Sequence, residues 1–270
     1  MRAAVLACGL WLAVTPALAA SSIPEDPLGS VMWETLYPEV FGTAPVVADD
    51  RVKVLAPADV ENARAMPVAV DATALDGVQE IVIVADLNPF PVVLRYEPLK
   101  ARPFIATRIK IQQATAVRAA ARTRDGVWHM NGRLVDAAGG GCAAPPASYA
   151  ASDWADHLGE VQARVWPADA AGTARVKLRI RHPQDTGLMA GVPAFFIDAL
   201  TLTAADGTPV ARLSPLEPVS EDPVFTLALD APVPGSVLTL KGRDNNGGDI
   251  AASIPVPVKT AATGTVGVTP

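Results

Sequence analysis

Short apolar runs separated by turn-forming pairs occupy much of the chain. Asp76-Gly77 and Asp125-Gly126 are two of these pairs, and both consist of residue types that favour tight turns. Runs of this length and spacing predict β-strands, and seven in succession predict an immunoglobulin-like sandwich. The seven runs are residues 51–56, 67–72, 80–86, 91–97, 104–111, 116–123 and 127–135.

A second β series follows residue 160. Residues 175–181 alternate charged and apolar side chains without a break, which is the period of a strand with one buried face. Asp206-Gly207 and Asn246-Gly247 predict hairpin turns. The series predicts a second sandwich, and its other runs are residues 194–203, 210–213, 224–229, 236–241 and 250–258.

A short helix is predicted ahead of the first series. Asp26 is a good N-cap residue and Pro27 is well suited to the first helical position. The helix would extend to about Val40, and Val31, Leu36 and Val40 would share one apolar stripe.

The predicted fold class is all-β, with two immunoglobulin-like β-sandwich domains, a Gly/Ala/Pro-rich linker and a short N-terminal helix. The linker lacks apolar periodicity and contains Pro145-Pro146. The predicted divisions are residues 1–19 (signal peptide), 20–50 (lead-in with the helix), 51–136 (first sandwich), 137–159 (Gly-Cys loop and linker), 160–258 (second sandwich) and 259–270 (flexible tail).

The first residues are typical of a secretory signal. Met1-Arg2 is basic, residues 3–14 are apolar, and Ala17-Leu18-Ala19 has the small-residue pattern of a cleavage site. The apolar stretch is shorter than the ~20 residues that cross a bilayer. For a bacterial source, we expect a soluble periplasmic protein with no membrane span.

Charge and metal-ligand composition exclude several functions. The formal net charge of −6 argues against nucleic-acid binding, which needs basic surface. Three scattered histidines make a transition-metal site unexpected. Residues 244–249 carry aspartates and asparagines but lack the length and glutamate of a calcium loop, so a hairpin is favoured over a metal site.

The most informative residue is Cys142, which follows Gly139, Gly140 and Gly141. The other cysteine, Cys8, would leave with the signal peptide, so Cys142 has no partner for an internal disulfide. Glycines leave the backbone free and unobstructed, so we expect Cys142 to be solvent-accessible on a mobile loop. A buried cysteine would instead favour a non-covalent binding role.

No obvious activator of the thiol lies nearby in sequence. Within ten residues of Cys142 the only lysine or arginine is Arg133. A cysteine hydrolase needs a base held beside its nucleophile, so this absence favours a carrier over an enzyme.

Several segments resemble the SoxY and SoxZ families of bacterial thiosulfate oxidation. Residues 51–142 resemble the sulfur carrier SoxY at 81–84, 88–89, 104–110 and the Gly-Cys end. Residues 160–258 resemble SoxZ at 181–187 and 244–248. The order is that of a fused SoxYZ chain, similar to the SoxYZ-like carriers associated with quinoprotein dehydrogenases.

This resemblance implies a covalent carrier that has no turnover of its own. Cys142 would bear a sulfur-containing intermediate on a loop formed by Gly139, Gly140 and Gly141, and no cofactor beyond that adduct is expected. Partners would be periplasmic redox enzymes, of Sox type or a quinoprotein dehydrogenase, and the two halves would pack on each other. The alternative is a non-covalent accessory module for such a dehydrogenase.

Two residues complicate the resemblance. Ala143 continues the chain where the SoxY motif ends it, so the loop is tethered at both ends and reaches less far than a free arm. His182 lies in the SoxZ-like motif and could neighbour the thiol as a base, although a structural histidine at a strand end is favoured.

Overall fold

The structure is a computed structural model that describes residues 23–230 and 232–258. The predicted signal peptide and tail lie outside these residues. One α-helix, α1 (Trp33–Phe41), precedes the strands, and two 3₁₀ turns span Ala147–Ala150 and Trp154–His157. The described strands are β1 (Val46–Ala48), β2 (Lys53–Leu55), β3 (Asp59–Val60), β4 (Met66–Asp71), β5 (Val78–Ala85), β6 (Val92–Glu97), β7 (Ala101–Ile109), β8 (Thr115–Thr123), β9 (Trp128–Ala137), β10 (Val161–Trp166), β11 (Thr173–Ile180), β12 (Ile197–Thr203), β13 (Pro209–Pro215), β14 (Val224–Asp230), β15 (Val237–Asp244) and β16 (Asp249–Pro255).

These strands form two sheets. The first has the order β1-β9-β8-β5-β6-β13-β12-β15-β16, with β3 also paired to β9, and the second has the order β10-β11-β14-β7-β4-β2. One apolar cluster contains buried residues of both sheets, such as Ile83 from β5 and Ile105 from β7. The all-β sandwich class and the short helix are therefore confirmed.

Both sheets run across the two halves of the chain, here called the first half (up to residue 142) and the second half (from residue 160). Strand β6 pairs antiparallel with β13, where Tyr96 lies opposite Leu213. Strand β7 pairs antiparallel with β14, where Ile105 lies opposite Leu227. The strand pairing and the apolar cluster are thus continuous through the two halves.

Strand β11 shows why the sequence pattern succeeds. Its burial alternates strictly, with Ala174, Val176, Leu178 and Ile180 buried and the charged residues between them exposed. Strands β1, β3 and β10 were not predicted. β1 and β3 have three and two residues, and β10 is an edge strand with little burial, so none shows a clear period.

The predicted start of the helix is wrong. Helix α1 begins at Trp33 after Met32, whose side chain makes no capping bond, and Val31 is 87% exposed. Leu36 and Val40 are buried as expected. The helix packs on Trp128 and its neighbours, on the face of the first sheet that lies away from the main core.

Asp26 fastens the lead-in to the sheet instead of capping the helix. Its carboxylate accepts the amide of Ser30 at 2.6 Å and pairs with the Arg118 guanidinium at 2.5 Å. Arg118 is buried, pairs also with buried Asp86 at 2.6 Å, and lies 4.6 Å over the Trp33 ring. A buried arginine needs such partners because an unpaired charge in the interior is costly.

Candidate functional site

Cys142 lies in a turn a few residues beyond the end of β9, and its thiol is free. Only 1% of the residue is exposed. The expectation of a solvent-accessible thiol on a mobile loop is therefore wrong. The physical reason lies in how the glycines are used.

Backbone hydrogen bonds fold the glycine segment against the chain that follows β7. The amide of Gly140 donates to the Gln112 carbonyl, and that of Gly141 donates to the Ile111 carbonyl, both at 3.0 Å. The Gln112 side-chain oxygen accepts the amides of Cys142 at 3.2 Å and Ala143 at 3.3 Å. The thiol loop is thus a closed turn with its donors satisfied.

The glycines permit a close approach of backbone to backbone. A Cβ at Gly141 would overlap the Ala63 carbonyl oxygen and lie 2.7 Å from that of Ile111. A Cβ at Gly139 would overlap the Gln112 carbonyl oxygen, and φ at that position is +92°. The same glycines that predict mobility therefore make a tightly packed turn that no larger residue fits.

The second half of the chain contributes the other wall. Thr186 Oγ1 donates to the Cys142 carbonyl at 2.6 Å. Lys110, at the end of β7 in the first half, is buried, and its ammonium donates to the carbonyls of Gln184 and Glu217. Cys142 therefore sits at the junction of the two halves.

Burial governs the chemistry of this thiol. It raises the pKa of Cys142 to about 11, against the opposing effect of the Lys110 ammonium. Burial lowers the pKa of Lys110 to about 8, and Cys142, Asp185 and Glu221 oppose that fall. Since only the thiolate is a good nucleophile, the closed turn holds Cys142 in an unreactive protonated form at neutral pH.

The segment after Cys142 is held from both halves. Glu221 accepts the amides of Ala147 at 2.8 Å and Ser148 at 2.5 Å. Arg64 Nη2 donates to the Pro145 carbonyl at 2.5 Å. The exit of the tethered loop is thus fixed by two charged side chains close to the turn.

A cavity of about 370 Å³ opens beside this exit segment. Ala144, two residues after Cys142, forms part of its wall, as do Arg64 and Lys110 from the first half and Ser220 and Glu221 from the second. The cavity therefore shares the junction with the thiol turn.

His182 is buried in the second half with its own set of contacts. Its Nδ1 accepts the amide of Gln184 at 3.1 Å, its ring centroid lies 4.5 Å from that of Phe195, and its Nε2 lies 3.9 Å from Asp244 Oδ2. Burial lowers its pKa to about 4. Within the described part of the chain, no hydrogen bond joins the ring to the sulfur, so its role beside the thiol stays a prediction.

Lys110, Gln112 and Thr186 were not identified from the sequence. Lys110 and Gln112 precede Cys142 by about thirty positions, and Thr186 follows it by 44, so a search within ten residues misses all three. One signal was present: Lys110 ends an alternating run that otherwise predicts a strand, and a lysine at a strand end can face a neighbouring loop.

Other kinds of site are not seen in residues 23–230 and 232–258. There, no group of three or more metal-ligating side chains converges. Nor do those residues contain a helix with the length and apolar character needed to cross a bilayer.

Comparison with known families assigns both halves. Residues 37–142 match the family model of the sulfur oxidation protein SoxY, and residues 164–255 match that of the sulphur oxidation protein SoxZ. The chain belongs to the fused SoxYZ family. The SoxYZ resemblance is thereby confirmed, and with it a carrier role in sulfur oxidation. The SoxY match ends at Cys142 itself.

The sulfur carrier protein SoxY from Chlorobium limicola f thiosulfatophilum is one similar solved structure. It shares 20% sequence identity and covers 39% of this chain and 96% of its own, with a TM-score of 0.36. We base no conclusion on so low a score. No curated protein matches the chain.

Proposed function

We propose that this SoxYZ fusion is a periplasmic carrier that bears a sulfur intermediate covalently on Cys142 and has no turnover of its own. The observation that carries the proposal is the end of the SoxY match at Cys142, the free cysteine of the described chain. The seam between the halves supports it, because a carrier must hold its cargo and later release it from one defined place.

The burial of Cys142 requires the turn to open for loading. Cys142 belongs to neither apolar cluster, although it is buried, and the adjacent Ala143 is exposed. What holds the turn is a small set of hydrogen bonds from Gln112 and Thr186 and from the glycine amides. Such a local contact set opens at a much lower cost than global unfolding.

The continuous sheets support a carrier whose halves act as one unit. Pairing of β6 with β13 and of β7 with β14 places Thr186 of the second half against a thiol of the first. The family implies Sox-type enzymes as partners, and a quinoprotein dehydrogenase is the finer proposal. A partner that docks across the junction would contact both halves at once.

A buried thiol also favours the second candidate function, a non-covalent accessory module for a periplasmic dehydrogenase. In that case the closed turn would be permanent and Cys142 would serve packing alone. The two functions differ in whether the folded protein forms an adduct on this sulfur.

Intact-mass spectrometry after incubation with tetrathionate separates the two. The thiol loses its proton to solvent, the thiolate attacks a central sulfur of tetrathionate, and thiosulfate leaves as the central S–S bond breaks. Cys142 then carries –S–SO₃⁻. We expect a single adduct on the folded protein, formed more slowly than on a small thiol. Cys142→Ser should give none.

The contrary result is labelling that appears only in denaturant. A folded protein that stays unmodified while its urea-unfolded form is modified would reject the carrier and favour the accessory module.

A further inference from the structure

The 370 Å³ cavity beside the thiol turn has an unusual charge arrangement. Lys110 is only 5% exposed and forms part of the wall, together with the Arg64 guanidinium. An ammonium has three donors, and two of those of Lys110 reach the carbonyls of Gln184 and Glu217. One donor therefore stays available for a group in the cavity.

The acidic residues of the wall are engaged elsewhere. Both oxygens of Glu221 accept amides of the exit segment. Asp222 accepts from Arg179 at 2.9 Å, from Arg181 at 3.0 Å and from the amide of His182 at 3.2 Å. Arg64 is 3.7 Å from Glu221, too far for a direct hydrogen bond. The free donors of the cavity thus come from cationic side chains.

We infer that this cavity is an oxyanion subsite in which Lys110 and Arg64 hold the sulfonate end of a cargo attached to Cys142. The inference rests on the proposed carrier function and names the class of its cargo: a sulfur chain that ends in an anionic sulfur–oxygen group. Sulfonate oxygens are strong acceptors, and charge-assisted bonds to them are stronger than neutral ones.

The position of the cavity fits such a cargo. Ala144 forms part of the wall, and Lys110 is close enough to the sulfur to affect the pKa of the Cys142 thiol. Burial lowers the pKa of Lys110 to about 8, and a bound anion would oppose that fall. An anionic end group would thereby satisfy the least solvated cation of the junction.

The first test uses free thiosulfate and needs no covalent loading. Calorimetric titration of Cys142→Ala protein should detect binding that weakens with added salt. Adding Lys110→Met or Arg64→Gln should weaken it about tenfold or more, since a charge-assisted hydrogen bond is lost. Arg243→Gln is the matched control, because Arg243 is exposed and pairs with Asp198 in another place. Equal affinity in all four proteins would overturn the inference.

The second test uses the loaded protein. The –S–SO₃⁻ adduct should raise Tm relative to a neutral –S–CH₃ adduct made with methyl methanethiosulfonate. Lys110→Met and Arg64→Gln should each abolish that difference, whereas Arg243→Gln should keep it. Adducts that form but show no difference in Tm would reject the subsite and leave the carrier intact. Failure to form either adduct would reject the carrier, and the titration would then decide the subsite alone.

Discussion

Replacing Gly141 by alanine should open the thiol turn. The new Cβ would overlap the Ala63 carbonyl oxygen and press on the Ile111 carbonyl. Both atoms belong to backbone that is itself hydrogen-bonded, since the Ala63 carbonyl accepts the Ile111 amide at 2.7 Å. The turn must therefore move, because the obstacle is not the flexible end of a side chain.

The size of the effect follows from the bonds that a displaced turn gives up. These are the Gly140 and Gly141 amide bonds and the shared bonds to the Gln112 side chain. At about 1 kcal/mol each, losing two or three shifts the closed–open equilibrium by about 2–3 kcal/mol. The open population, and with it the labelling rate of Cys142, should rise roughly 30- to 150-fold.

Labelling with a chromogenic disulfide at pH 7.5, with the free energy of unfolding measured in urea, checks this. Gly172→Ala is the matched control: its φ is +78°, nothing lies within 4 Å, and its turn joins β10 to β11 away from the thiol. It should cost stability without changing the labelling rate. A Gly141→Ala protein that is labelled no faster than the wild type would refute the close-approach argument.

Three further predictions concern the surroundings. Arg118→Met should lower the free energy of unfolding by about 3–5 kcal/mol in urea titration, because buried Asp86 loses its partner; an unchanged value would contradict this. Thr186→Val should speed labelling of Cys142 roughly fivefold in the same assay, through loss of one hydrogen bond, and a slower rate would count against it. Burial lowers the pKa of His182 to about 4, so the unfolded chain binds this proton first and stability should fall between pH 6.5 and 4, by up to about 3 kcal/mol. His182→Gln should flatten that slope in urea titrations at pH 7 and 5, and an unaltered slope would exclude His182 as its source.

Much of the fold could be predicted because its signals are local. The alternation of residues 175–181 requires one buried face, and β11 has it. The order of the sheets could not be predicted, because nothing along β6 or β7 specifies that β13 and β14 lie beside them. The N-cap prediction at Asp26 failed for a similar reason: the distant Arg118 uses that carboxylate.

The site was predicted in identity but not in environment. Cys142 was found from its composition and glycine neighbours, yet the glycines admit two physical explanations. They confer freedom in an open loop, and they allow close contact in a packed turn. Only the positions of Ala63 and Gln112 decide between the two, and neither is adjacent to Cys142 in sequence.

The shared sheets also determine what becomes of each half on its own. Without the second half, β6 and β7 would become unpaired edges, and without the first half, β13 and β14 would. Bare edges invite pairing with other copies, so separately produced halves should aggregate. Fusion in one polypeptide fixes their ratio at one to one during synthesis. The tether that shortens the reach of the thiol thereby also ensures that these edges always have their proper neighbour.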